Sequence, residues 1–302
     1  MNTALTYDGD NVFRADARRH QSEFREKVLH VDFDSSNTRA QYGNLLPKEA
    51  AMKGLIFYEG YRDQIMKVAE DRYGKINGTA RYSNLLRSEH IPLNIFSPMD
   101  MEERLDKAKE LFNEIIAGGI SKIEGIWIEH PRKYDVSKYL HDKTSFDTFI
   151  SYKTKTGLRG GIGIEVKYTE VGYKIGETEK MEMGKSSHPY TTVTKACGYF
   201  LDPKPETFKA DYLRQIWRNH LLGASMIVDG ELDVFHCIHL YPKGNTHFDK
   251  IAIPNYLELL TEKGKETFIG LTYEGLFQLM GKYFSSSHES DWIEYLKRRY
   301  LF

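Results

Sequence analysis

Residues 146–170 read FDTFISYKTKTGLRGGIGIEVKYTE, and the second half of this stretch decides the fold. Side chains along a strand alternate between faces, so Ile162, Ile164, Val166 and Tyr168 share one face. Gly163, Glu165, Lys167 and Thr169 then share the other. One face is continuously apolar, as a central strand requires, yet the other carries a carboxylate and an ammonium. On the preceding run, Phe146, Thr148 and Ile150 alternate with Asp147, Phe149 and Ser151. The two runs are joined by the Lys/Gly-rich segment KTKTGLRGG and predict an antiparallel hairpin with a positively charged tip. Such pairing sets Asp147 beside Glu165 and Lys167 on one polar patch.

That patch has a chemical meaning. Two carboxylates at adjacent strand ends form an oxygen-rich site suited to a hard divalent cation such as Mg²⁺. A neighbouring ammonium can orient an attacking water, or neutralise charge as a phosphorane-like transition state develops. A Glu-x-Lys on one strand face is also what a solvated sheet with a surface ion pair would show. The apolar opposite face argues instead that these charges lie in a central strand and need a reason to be there.

Working outward, residues 1–45 mix charge with little periodicity and read as a surface-wrapping segment. KEAAMKGLIFYEGYRDQIMKVAEDRYG has apolar residues at roughly helical spacing and predicts one or two helices ending near Gly74. Pro92 and Pro98 confine any helix in SEHIPLNIFSPM to short pieces. Asp100 to Glu103 has capping-box form and opens a helix over 101–117 that Gly118 and Gly119 stop. KIEGIWIEH is a strand closed by Pro131. Residues 175–195 are polar and predict a loop. TFKADYLRQIWRNHLLGASMI predicts a helix with Thr207 as its cap, ELDVFHCIHLYP a strand, and three helical stretches follow near 254–264, 273–284 and 291–300.

The order helix, strand, hairpin, helix, strand is that of an α/β core, a central mixed sheet flanked by helices, with helical additions at both ends. We expect one domain over 1–302. Charge nearly cancels, 42 Lys+Arg against 43 Asp+Glu, so affinity for a polyanion must come from a local patch. Cys197 and Cys237 are too few for a disulfide framework, the N-terminus lacks the apolar core of a signal peptide, and no run approaches a membrane span. A cytoplasmic protein without membrane contact is the expectation.

Asp147 followed by a hairpin and Ile164-Glu165-Val166-Lys167 resembles the catalytic core of the PD-(D/E)XK nuclease superfamily. The wider strings DKTSFDTFISY and GGIGIEVKYTE, with SEHIPLNIF before and RQIWRNHLL after, are similar to stand-alone bacterial restriction-endonuclease-like proteins of that superfamily. The resemblance covers about residues 83–240. It implies that Asp147 and Glu165 bind Mg²⁺ (Mn²⁺ substituting), that the Val166 carbonyl is a further ligand, and that Lys167 is the catalytic lysine. Phe146 stands where the motif has Pro, which contributes no ligand atom. Such nucleases often add an upstream acid; Glu89 is the candidate, with Glu102 and Glu103 as rivals whose capping role explains them without catalysis.

Gln215 and Arg218 fall one turn apart on the helix after the core, where relatives touch the active site or a phosphate. Lys153, Lys155 and Arg159 at the hairpin tip are candidate contacts to a DNA backbone. Glu170, three residues beyond Lys167, could join a second-metal site or simply end the strand, and the strand end is the favoured reading. The resemblance implies a Mg²⁺-dependent endonuclease acting on DNA, of restriction or anti-phage type. The alternatives are a repair or recombination exonuclease of the same fold, and a non-catalytic nucleic-acid-binding or interaction module in which the three charges form only a salt-bridge network. Double-strand cutting with one site per chain would call for a homodimer.

Three other motifs fail on context. Gly184-Lys185-Ser186 resembles the end of a P-loop, but Glu179 stands where its first Gly is needed. Arg159-Gly-Gly-Ile-Gly163 lacks the strand-before, helix-after setting of a dinucleotide site. His236 and His239 of HCIH face opposite ways on a strand, and no second ligand pair is spaced for zinc.

Overall fold

The computed structural model describes residues 7–34, 42–131, 138–172 and 181–302. Its backbone contacts divide into two units. The first comprises Met1–Arg104, Val166–Thr169 and Tyr273–Phe302; the second comprises Leu105–Glu165 and Glu170–Thr272.

The first unit begins with a helix that the sequence pattern hid. α1 spans Val12–Lys27, where a surface-wrapping segment was expected, and is capped by the Asn11 side chain, which accepts from the Arg14 N–H. Its buried face includes Arg18, Gln21, Ser22 and Arg25 beside Ala17 and Phe24, so no apolar stripe advertised it. α2 (Lys48–Met52) and α3 (Arg62–Tyr73) follow, and Gly74 ends α3 as expected. After α4 (Ala80–Ser83), α5 (Ile91–Phe96) is only six residues long and passes into a 3₁₀ turn at Ser97–Asp100, the break that Pro92 and Pro98 predict. α6 spans Glu102–Ile115.

The second unit is built on a five-stranded mixed sheet, ordered β1-β2-β3-β4-β5. β1 (Ile120–His130), β2 (Phe146–Thr154) and β3 (Arg159–Val166) form an antiparallel meander. α7 (Pro189–Ala196) lies where residues 175–195 were read as loop; the His188 side chain caps it and Pro189 sits at its start, while 173–180 lie outside the described residues. Its buried face contains Thr191 and Thr194, which reads as polar in sequence. α8 spans Asp211–Val228. It starts after Ala210 and not at Thr207, which falls in a separate 3₁₀ turn at Pro205–Phe208. β4 is Val234–Tyr241, then α9 (Ile253–Glu258) and α10 (Glu262–Glu266) lead to β5 (Phe268–Thr272), a short strand unseen in sequence that pairs parallel to β4. The core is aromatic: Trp217 stacks on Phe208, and Phe146 packs against Phe149 and Phe235.

Two glycines set how closely layers approach. A Cβ on Gly223 of α8 would lie 1.9–2.3 Å from ring atoms of Phe235 on β4, and one on Gly163 of β3 would lie 2.4–2.6 Å from the Phe146 ring. Both rings are buried, so neither can swing aside cheaply.

α11 (Tyr273–Tyr283) and α12 (Ser287–Tyr300) complete the first unit, α12 opening with a full capping box from Ser286 and Glu289. The core they join is unusually polar. Gln21 donates to the Tyr168 hydroxyl at 2.8 Å and to the Arg299 carbonyl at 2.6 Å, Trp292 donates to the Asn94 carbonyl at 2.9 Å, and Arg299 donates to Tyr295 at 2.7 Å. Among the described residues, no helix is long and apolar enough to cross a membrane.

Gly223→Ala should lower the midpoint of urea unfolding. Replacing Gly by Ala in a helix normally gains about 1 kcal/mol, but overpacking a filled core costs about 1–3 kcal/mol and the clash with Phe235 wins. An unchanged or raised midpoint would show that the ring yields. His220 is fully enclosed between Tyr256 and Thr267, and burial pushes it down to about 3. The unfolded chain, protonating near the ordinary imidazole value of 6.5, therefore binds a proton that the folded chain refuses. Its contribution to stability is complete above pH 6.5 and is lost as pH falls toward 3, so His220→Gln should flatten unfolding free energy against pH over that window.

Candidate active site

The hairpin register answers whether Asp147 comes alongside Glu165. Thr148 pairs with Ile164 and Ile150 with Ile162, so the same register carried one step outward sets Asp147 opposite Glu165. Both line one cavity of ≈ 300 Å³ within the second unit. Lys143, Thr144 and Ser145, just before β2, form another part of its wall, and Gln215, Arg218 and Asn219 of α8 close it.

Glu165 is only 4 % exposed. A buried carboxylate needs donors, and α8 supplies two: Gln215 Nε2 donates to Oε1 and Asn219 Nδ2 donates to Oε2, both in short hydrogen bonds. Gln215, Asn219 and Gly223 stand at four-residue intervals and so lie along one face of the helix. That face meets the sheet, and Gly223 permits the close approach to Phe235 that the amides one and two turns earlier rely on. The charge of Glu165 is felt nearby: burial first, and then this carboxylate, push the Cys237 thiol well above its ordinary range, which keeps Cys237 from acting as a thiolate ligand.

Arg218 is held at the edge of the cavity. Its Nη2 donates to Asp142 at 2.8 Å and its Nε to the Thr144 hydroxyl; Asp142 also accepts from the Tyr190 hydroxyl at 2.7 Å. Burial holds the Tyr190 phenol well above its usual range, so it stays protonated as a donor. Lys143 is exposed and has no ion-pair partner among the described residues.

The other expected site residues are placed as follows. Lys167 is 7 % exposed, follows Glu165 by two residues and is grouped with the first unit, where its backbone carbonyl accepts from the Tyr273 hydroxyl at 2.6 Å. Val166 ends β3. Glu89 is in the first unit and is gripped by Arg87 through Nε bonds of 3.0 and 2.8 Å and a third from Nη2; burial raises its carboxyl, but the Arg87 contacts outweigh this and leave it below the ordinary value. It is not among the residues lining the cavity. Glu102 and Glu103 lie in the first turn of α6. At the hairpin tip Lys155 is exposed and Lys153 half-buried, while Arg159 is bound to Asp233 by two side-chain bonds of 3.0 and 2.9 Å that hold the Asp233 carboxyl down to about 2. Much of the Arg159 charge is thus spent within the protein. Asn245 donates to the Glu170 carbonyl at 2.9 Å.

Sequence reasoning missed Asn219, Lys143, Thr144 and Ser145. The signal for Asn219 was present in RQIWRNHLL, as an amide four residues after Gln215 amid Trp217, Leu221 and Leu222. An asparagine on an apolar helix face has to bond something.

The donor chemistry can be tested against a cation. Among the described residues no group of three or more His, Cys, Asp and Glu side chains is arranged to hold a metal ion. Two carboxylates with a backbone carbonyl close by in the chain are all-oxygen ligands, the set that suits a Mg²⁺ ion keeping several of its waters. The oxygens of Asp147 and Glu165 in the cavity are of the kind such an ion takes.

No curated protein and no solved structure matches the chain. A protein-family comparison does match, over residues 8–302, so that it takes in the helical ends as well as the sheet. With Asp147 and Glu165 meeting at the open end of a β2–β3 hairpin, the chain belongs to the PD-(D/E)XK nuclease superfamily.

Proposed function

We propose that this nuclease is a divalent-metal-dependent endonuclease that hydrolyses DNA phosphodiester bonds, of restriction or anti-phage type. The observation that carries the reading is the meeting of Asp147 and Glu165 in one cavity with both Glu165 oxygens held by amides. A Mg²⁺ or Mn²⁺ ion held by Asp147, Glu165 and the Val166 carbonyl supplies Lewis-acid stabilisation of charge on the phosphoryl oxygens.

The chain's own groups do the rest. Lys167 orients the attacking water and balances the charge that builds up as one P–O bond forms and the ester P–O bond breaks. Gln215 and Asn219 keep Glu165 from rotating. Lys143, with the Thr144 and Ser145 hydroxyls, offers donors to non-bridging phosphate oxygens at the cavity wall. Lys153 and Lys155 add backbone affinity without sequence information. Glu89, already paired with Arg87, is the weakest member of the proposed set.

Purified protein should cut DNA in the presence of Mg²⁺ or Mn²⁺ and not with chelator. A panel of covalently closed circles, linear duplex, single-stranded DNA and RNA reads the substrate class, and nicking or linearisation of the circle marks an endonuclease. Asp147→Asn should abolish cutting, and Lys167→Ala should reduce kcat by about 10²–10⁴ with an unchanged circular dichroism spectrum. Full activity in Lys167→Ala would remove that residue from the mechanism.

Lys143→Ala is expected to act differently, raising KM with little change in kcat. The slope of log binding constant against log salt should become shallower by about 1, the loss of one phosphate contact. Binding measured by anisotropy from low to moderate salt checks this, and an unaltered slope would place Lys143 outside the DNA path.

A further inference from the structure

We infer that Asn219 is a positioning residue: with Gln215 it forms a two-amide clamp that fixes the Glu165 carboxylate and thereby sets how tightly the site holds its cation. The inference rests on the proposed metal-dependent reading and concerns a residue which the sequence pattern did not single out.

The geometry is specific. Gln215 takes Oε1 and Asn219 takes Oε2, so the carboxylate is gripped at both oxygens and cannot turn about its terminal bond without breaking one contact. Both donors come from one helix, four residues apart, so they move as a unit. Asn219 is 2 % exposed, whereas Gln215 is only half-buried, which makes Asn219 the more firmly seated of the pair.

The residue type matters as much as the place. A Lys or Arg at 219 would pair with Glu165 and compete with a cation for its charge, and an Asp would repel it. An apolar side chain would leave a buried carboxylate oxygen without this donor. A neutral amide supplies a hydrogen bond and leaves the negative charge in place. Each carboxylate oxygen can accept more than one partner, so an amide on each does not exhaust the group as a ligand. Donors that orient a ligating side chain are worth about 10–100-fold in metal affinity or activity when removed.

The test is Mn²⁺ titration by calorimetry on the full chain, comparing wild type with Asn219→Leu, which keeps the volume and removes the donor, and with the smaller Asn219→Ala. Urea unfolding and near-ultraviolet circular dichroism establish which variant is folded, and either folded variant decides. The expected result is a Mn²⁺ dissociation constant raised about 10-fold or more, kcat lowered about 10–100-fold and an unchanged KM for DNA. A folded variant with wild-type Mn²⁺ affinity and kcat, even one with a lowered unfolding midpoint, overturns the clamp and leaves Asn219 a packing residue. Failure of the underlying reading looks different. There, wild type itself would show no saturable Mn²⁺ site and Asp147→Asn would change nothing, which would end both.

Discussion

A carboxylate buried inside a β-sheet is the constraint around which the second unit is arranged. Glu165 is almost wholly enclosed, and burying such a group without donors would cost several kcal/mol, of the order of ~3–5 when one partner of a buried charge is removed. The donors come from α8, and for the amides to reach, the helix has to lie close against the strands. Gly223 makes that approach possible over Phe235, and Gly163 does the same within the hairpin for Phe146. The amide spacing on α8 and the close packing at Gly223 thus serve one buried charge.

The first unit solves a related problem by other means. Its core holds Arg18, Gln21, Arg25, Asn94 and Arg299, all buried. Arg18 is answered by Asp10 at 2.7 Å and Asn44 at 2.8 Å, and Asn94 by the Tyr300 hydroxyl at 3.1 Å. Such networks add little net stability over an apolar core, but a half-made one is costly, so they specify one arrangement. Val166–Thr169 belongs to this unit, with Tyr168 bonded to Gln21 and stacked on Tyr273.

These two devices explain what could be read from the sequence. The hairpin, the α6 and α8 helices, β1 and β4 and the pairing of Asp147 with Glu165 were legible because alternation and helical spacing of apolar residues report directly on burial. α1 was not, because Arg18, Gln21, Ser22 and Arg25 outnumber Ala17 and Phe24 on its buried face. α7 was hidden for the same reason by its buried threonines. β5 has five residues and a glycine, too short to show a period. At the site, the acidic pair was visible because its residues are close in sequence, whereas Asn219 lies 54 positions from Glu165 and only the folded helix reveals the contact.

Side-chain and backbone contacts both act on the Glu-x-Lys pair. Glu165 is held through its side chain, by amides that leave its charge intact. Lys167 is held through its backbone: the Tyr273 hydroxyl takes the Lys167 carbonyl, and the next residue, Tyr168, is locked through its own hydroxyl by Gln21. These bonds fix where the Lys167 side chain starts. In the proposed ligand role, a carboxylate gripped at both oxygens would serve a cation well, since oxygens that need no reordering when it arrives bind it at lower cost. The amide grip on Glu165 and the backbone bond at Lys167 thus each fix one position of the Glu-x-Lys pair.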